Sequence, residues 1–180
     1  LLIVHLTDIH IRDDADFDIL SKRIGSISSA ICNHITDPDE TNLLFCITGD
    51  FAFSGKHEQY TIIGMILEEI CTIIRDRFPQ VDIYPVFVPG NHDCDFDADG
   101  ASVREALLTS SNLNISDISQ LKVCTSIQKG FFDFCSEWNK KFGAMYCSPD
   151  KVLTINKLNF DKENIGIEFH CINTSWGSKK

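Results

Sequence analysis

Three apolar runs, Leu1–Leu6, Leu43–Thr48 and Ile83–Val88, each end at a short polar cluster: Asp8-Ile9-His10, Gly49-Asp50 and Gly90-Asn91-His92-Asp93. Short runs that are apolar without alternation read as strands buried on both faces, the kind found in parallel sheets covered by helices. The segments between them agree with this. Leu20, Ile24, Ile27, Ile31 and Ile35 recur every three or four residues, as do Tyr60, Ile63, Leu67, Ile70 and Ile74, which is the stripe of an amphipathic helix. Thr36-Asp37-Pro38 is expected to close the first helix, and the second ends before Pro79. Strand, helix, strand, helix, strand predicts right-handed βαβ units around a largely parallel sheet.

In such a sheet all three clusters fall just past the carboxyl ends of strands, where open α/β sheets bind ligands. Gly49 lets the chain turn sharply, so that Asp50 projects beyond the sheet edge. Asp8, His10, Asp50 and Asn91 together offer carboxylate, amide and imidazole donors, the mixture that a pair of divalent ions needs. The alternative, three unrelated polar turns, would suit any one cluster alone. Their order and shared strand context favour one metal pocket.

The length of 180 residues fits one domain with a substantial core, and 43% hydrophobic with 23% charged residues is ordinary for a globular protein. The formal charge of −10 argues against a broad electrostatic footprint for nucleic acid. Eight cysteines never fall in a CxxC or CxxxC spacing, so a zinc ribbon is not indicated. They read as small buried hydrophobes in a reducing compartment, and a cytoplasmic location is expected. LLIVHL is too short for a signal segment, and no run approaches the 18 apolar residues of a membrane span. A start without Met suggests a piece of a longer product with further domains.

Beyond the third cluster, residues 101–142 read as a polar helical insert, or cap, carrying Phe131, Phe132, Phe134, Trp138 and Phe142. The helical spacing of those aromatics favours core packing over a base-stacking surface. Met145–Ile155 and Ile165–Asn173 are expected strands, with Asn156–Asn164 as a polar turn. Several residues have plainer readings than a site. His5 fits a core histidine, while His34 and His57 fit solvated helix surfaces. Ser54 is a loop serine without a base, and Asp95, Asp97 and Asp99 are loop carboxylates without EF-hand spacing.

Asp8-Ile9-His10, Gly49-Asp50 and Gly90-Asn91-His92-Asp93, in that order, resemble the first three motifs of the calcineurin-like metallophosphoesterase superfamily. The resemblance implies an α/β sandwich of mixed sheets flanked by helices, of which this chain supplies the amino-terminal part. It implies a metal-dependent phosphoester hydrolase, most simply a phosphodiesterase using a hydroxide activated by two divalent ions. Mn²⁺, Fe or Mg²⁺ suit the donors, and Zn²⁺ is compatible. Asp8 and His10 would hold one ion, Asp50 would bridge, and Asn91 would hold the second. His92 would act on the phosphate, with Asp93 orienting it.

TGDFAFSGKHEQY (Thr48–Tyr60) and VPGNHDCDF (Val88–Phe96) look more like the bacterial branch that includes cyclic-nucleotide phosphodiesterases than like protein phosphatases. The expected substrate is a phosphoester, possible forms including a nucleotide. The family's later G-H-x-H motif does not occur in the 180 residues, and His170 is the only late histidine. It reads as a packed strand residue, so further ligands are expected after Lys180. Two other classes remain open at this point. One is a degenerate phosphoesterase-like module that binds or senses without turnover; the other is a nuclease module, which the net charge disfavours.

Overall fold

The computed structural model describes residues 1–142, 145–160 and 164–179. β1 (Leu2–Leu6), β2 (Asn42–Thr48) and β3 (Asp82–Val88) form a parallel sheet in the order β1-β2-β3. Leu2 pairs with Leu43, and Leu43 with Ile83, so the three strands end at one level and release their loops along a common rim. The crossovers are α1 (Asp14–Cys32) and α2 (His57–Arg77). Asp13 caps α1 by accepting from the Ala15 N–H at 2.9 Å.

The continuous apolar character of β2 and β3 follows from two cores, one on each face. Leu43, Phe45, Ile47, Ile83 and Phe87 face the helices, packing with Ile24 and Ile31 of α1 and with Tyr60, Ile63, Leu67, Ile70 and Ile74 of α2. The alternate residues Leu44 and Val86 face a second sheet and meet Leu158, Phe160 and Cys171 there. That sheet is antiparallel, built from β4 (Met145–Cys147), β5 (Leu153–Phe160) and β6 (Ile165–Ile172) in sequence order. The mixed α/β sandwich flanked by helices is therefore the observed architecture.

Residues 101–142 form α3 (Ala101–Thr109), α4 (Ile118–Thr125), a 3-10 turn at Ser126–Gln128, and α5 (Lys129–Phe142). Phe131, Phe134 and Trp138 of α5 lie in the helix-side core rather than on a stacking surface. Their rings also reach the site loops. Phe51, the residue after Asp50, is fully buried and meets Phe87, Phe131 and Phe134 at centroid distances of 6.0, 6.1 and 6.4 Å. Aromatic edge contacts of this kind add about 0.5–1.5 kcal/mol each beyond burial. The Asp50 loop is thus anchored from beneath by the core.

Four sequence expectations are corrected. α1 ends at Cys32, and Ile35 is buried by a turn beyond it, its N–H donating to the Cys32 carbonyl at 3.2 Å. The strand expected over Met145–Ile155 is broken by a turn in which Lys151 N–H donates to the Ser148 carbonyl at 2.9 Å. Asn156–Phe160, read as turn, belongs to β5: Asn156, Leu158 and Phe160 point inward while Lys157 and Asn159 face solvent, so polar residues on the open face disguised a period of two. His5 is exposed rather than core, because the antiparallel sheet packs on β2 and β3 and leaves that face of β1 open. Its Nε2 lies 2.6 Å from Thr48 Oγ1. The former turn's residues 161–163 lie outside the described residues.

Candidate metal centre

The loops after β1 and β2 continue the parallel pairing past the strands. Asp8, His10 and Ile11 donate their N–H groups to the carbonyls of Gly49, Asp50 and Phe51 at 3.3, 3.0 and 2.9 Å, and Phe53 N–H returns to Ile11 O at 2.9 Å. Ile11, Phe51 and Ala52 are fully buried, which pins both loops. Between these pins the backbone is strained. Asp8, His10 and Asp50 all adopt left-handed conformations, with φ of 55°, 54° and 54°. Each such non-glycine residue costs roughly 1–3 kcal/mol and persists only where the surroundings fix it.

The strain brings one donor atom from each of Asp8, His10 and Asp50 within 4.8 Å of the others. His10 Nε2 stands 3.7 Å from Asp8 Oδ1, and His10 Nδ1 is buried with no hydrogen-bond partner among the described residues. Two carboxylates and an imidazole converging in this way fit a divalent cation, whose charge would offset the crowding of like charges. Thr7 Oγ1 lies 2.7 Å from Asp8 Oδ2 and holds that carboxylate's outer oxygen.

The third loop closes over Asp50. Asp50 Oδ1 accepts the His92 N–H at 2.8 Å, and a Cβ on Gly90 would lie 2.1 Å from that same oxygen. Only glycine fits there. His92 presents its ring beside His10, centroids 4.6 Å apart. Its Nδ1 lies 2.8 Å from the carbonyl of Phe53; since a carbonyl only accepts, Nδ1 carries the proton and Nε2 is left for the site. Asn91 is exposed at the start of the same 3-10 turn, Asn91–Asp93.

Asp93 does not orient the His92 ring, and this corrects the role expected of it. The Phe53 carbonyl does that work. Asp93 is fully buried and accepts four hydrogen bonds: from Gly90 N–H at 2.8 Å, Tyr60 O–H at 2.8 Å, Ala52 N–H at 3.1 Å and Phe51 N–H at 3.4 Å. It therefore ties the Gly-Asp loop, the Gly-Asn-His-Asp loop and α2 together. Burial pushes its carboxyl up, against the lowering pull of those four donors. Burial and the neighbouring Asp93 charge push the Tyr60 hydroxyl well above its ordinary value, so Tyr60 stays a donor.

Three further supports escaped the sequence reading. Gln59 Oε1 accepts from Ser54 N–H and Lys56 N–H at 3.0 and 3.3 Å, while its Nε2 donates to Arg12 O at 3.3 Å, joining the first two loops. A Glu or Gln three residues into a helix is a recognisable capping signal, which the Gln59 position carries. Tyr60 sits in the apolar stripe of α2, and nothing in the pattern marks its hydroxyl. Phe53 acts through its carbonyl and ring, which no motif could reveal.

His170 stands apart from this group, on the open face of β6, with Nε2 2.7 Å from Glu168 Oε1. A sequence model of calcineurin-like phosphoesterases matches residues 1–166. The chain belongs to the calcineurin-like phosphoesterase family. Metal-dependent hydrolysis of phosphoesters is the general chemistry of this phosphoesterase, and its Asp8, His10 and Asp50 donors are suited to a divalent ion. No curated protein and no solved structure matches the chain. Among the described residues of the phosphoesterase, no helix is long and apolar enough to cross a membrane.

Proposed function

We propose that this phosphoesterase hydrolyses phosphodiesters at a binuclear centre, with Asp8 and His10 on one ion, Asp50 shared, and Asn91 on the other. The observation that carries the reading is the convergence of donor atoms of Asp8, His10 and Asp50 within 4.8 Å on strained backbone, beside the His92 ring, whose centroid is 4.6 Å from that of His10. When bound, divalent ions supply a Lewis acid for the phosphoryl oxygens and an activated water. The protein's own part is orientation and proton handling. Asp50 Oδ1 is fixed by the His92 amide, which sets the direction of the second carboxylate oxygen. His92, held at Nδ1 by the Phe53 carbonyl, has Nε2 available to hydrogen-bond the phosphate and to protonate the departing oxygen.

The test is turnover of bis(p-nitrophenyl) phosphate and of p-nitrophenyl phosphate by the full-length protein supplied with Mn²⁺, Fe²⁺, Mg²⁺ or Zn²⁺. Diester turnover that exceeds monoester turnover, and is abolished in Asp50→Asn, is the expected result. Stoichiometric metal binding without any turnover would replace the hydrolase reading with a binding or sensing module.

A further inference from the structure

Arg12 follows the first metal-site loop and precedes an acidic run of Asp13, Asp14, Asp16 and Asp18 in a chain of net charge −10. An exposed guanidinium in that setting would ordinarily pair with a carboxylate. Among the described residues it pairs with none. Asp13 is turned to the Ala15 N–H as a helix cap, and Asp16 Oδ2 accepts the Arg12 backbone N–H at 2.9 Å. The guanidinium lies instead over the Phe53 ring, Cζ 4.5 Å from the centroid.

That ring is 40% exposed and stands beside the metal-site histidines, its centroid 5.4 Å from His92 and 6.4 Å from His10. The arginine backbone is held on both sides, by Asp16 at its N–H and by Gln59 at its carbonyl. Arg12 is therefore a positive charge set one aromatic ring away from the reacting centre, with its planar fork of donors unspent. A contact through Cζ to the ring face uses none of the guanidinium N–H groups, and two of them match two oxygens of a phosphate.

We propose that Arg12, laid on Phe53, binds a second phosphate of the substrate, so that the site prefers diphosphate-linked esters over isolated phosphodiesters. The proposal rests on the metal-dependent hydrolysis at phosphorus argued above and names the substrate class, the bond broken being the phosphoanhydride between two esterified phosphates. Water adds to one phosphorus, the bond from that phosphorus to the bridging oxygen breaks, and the second phosphate leaves with the bridging oxygen and the electron pair. Arg12 neutralises the charge that this leaving phosphate gains, and Arg12 needs no other reactant. For diadenosine diphosphate, one water gives two molecules of AMP.

Two measurements on the full-length Mn²⁺-loaded protein test this. The first compares kcat/KM for diadenosine diphosphate with that for the dinucleoside monophosphate ApA, in the parent, Arg12→Ala, Arg12→Lys and Phe53→Ala. The parent is expected to favour the diphosphate by about tenfold or more, the worth of charge-assisted hydrogen bonds to a phosphate. Arg12→Ala should lower the diphosphate at least tenfold more than ApA. Arg12→Lys and Phe53→Ala should fall between, because a point charge lacks the fork and a loose arginine lacks the platform.

The second is calorimetric binding of α,β-methylene ADP against AMP, which needs no turnover. The parent should bind the diphosphate analogue more tightly, and Arg12→Ala should erase the difference. Equal losses for both substrates and both ligands, or a parent that prefers ApA, would overturn the proposal. If neither ester is hydrolysed, the hydrolase reading fails while calorimetry still decides the role of Arg12.

Discussion

At the carboxyl ends of β1 and β2, Asp8, His10 and Asp50 hold left-handed backbone with donor atoms within 4.8 Å of one another, whereas β5 and β6 run through eight successive residue pairs in regular register. The open face of that antiparallel pair carries Lys157, Glu168 and His170, with a Lys157–Glu168 ion pair of 3.1 Å and a His170 Nε2–Glu168 Oε1 contact of 2.7 Å, both largely solvated. The rim carries its polar groups differently. Asp93 has no exposure at all and spends its hydrogen bonds on two loops and one helix. The contrast teaches where this fold concentrates strain. Left-handed non-glycine backbone also occurs singly at Lys151 and Asn164, in the turns before β5 and β6, whereas at the rim three such residues converge and the buried Phe51 and Asp93 on either side hold the distortion in place.

The strongest way to break the comparison is to remove a donor from the rim. Asp50→Asn is expected to lower phosphoester turnover by more than the roughly 100-fold seen for groups that merely support a ligand, with an unchanged far-ultraviolet spectrum. His92→Ala should lower kcat by about 10²–10⁴-fold, the range for a lost acid–base group, while metal content measured by elemental analysis stays as in the parent. Retained kcat would remove His92 from the proton-transfer step.

Glycines sharpen the same contrast in stability. Gly90→Ala forces a methyl to within 2.1 Å of Asp50 Oδ1 and 2.4 Å of its backbone nitrogen, and should cost about 3 kcal/mol in urea unfolding. Gly25→Ala on the exposed side of α1 meets nothing within 4 Å and should stabilise by about 1 kcal/mol, the helix preference of alanine over glycine. Similar melting curves for the two variants would deny the rim its tight packing.

Thiol chemistry probes how closed the packing behind the rim is. Burial pushes Cys94, next to Asp93, up to about 12, and Cys71 on α2 up to about 11. Only a thiolate reacts with a disulfide reagent, so at pH 8 both should label only after unfolding in guanidinium. Labelling of Cys94 in the native protein would show the loop open. The smallest effect is expected on the outer sheet, where Lys157→Ala should leave thermal stability unchanged within measurement, since its partner Glu168 is solvated.

The sequence by itself carried the parallel sheet, both crossover helices and the polar clusters, because continuous apolar runs and three-to-four spacing follow directly from burial. Polar residues on a half-open sheet hid most of β5, since Asn156, Lys157 and Asn159 look like turn residues until their alternation is paired with β6. Within the site, the residue types of Asp8, His10 and Asp50 were legible as donors.

Tertiary structure decided how the loops are held. The Phe53 carbonyl fixes His92, Asp93 binds backbone rather than imidazole, and Arg12 finds a ring in preference to its acidic neighbours. Those partners lie far apart along the chain or act through backbone atoms that every residue shares. A sequence records which groups are present, and only the packed loops determine which of them meet.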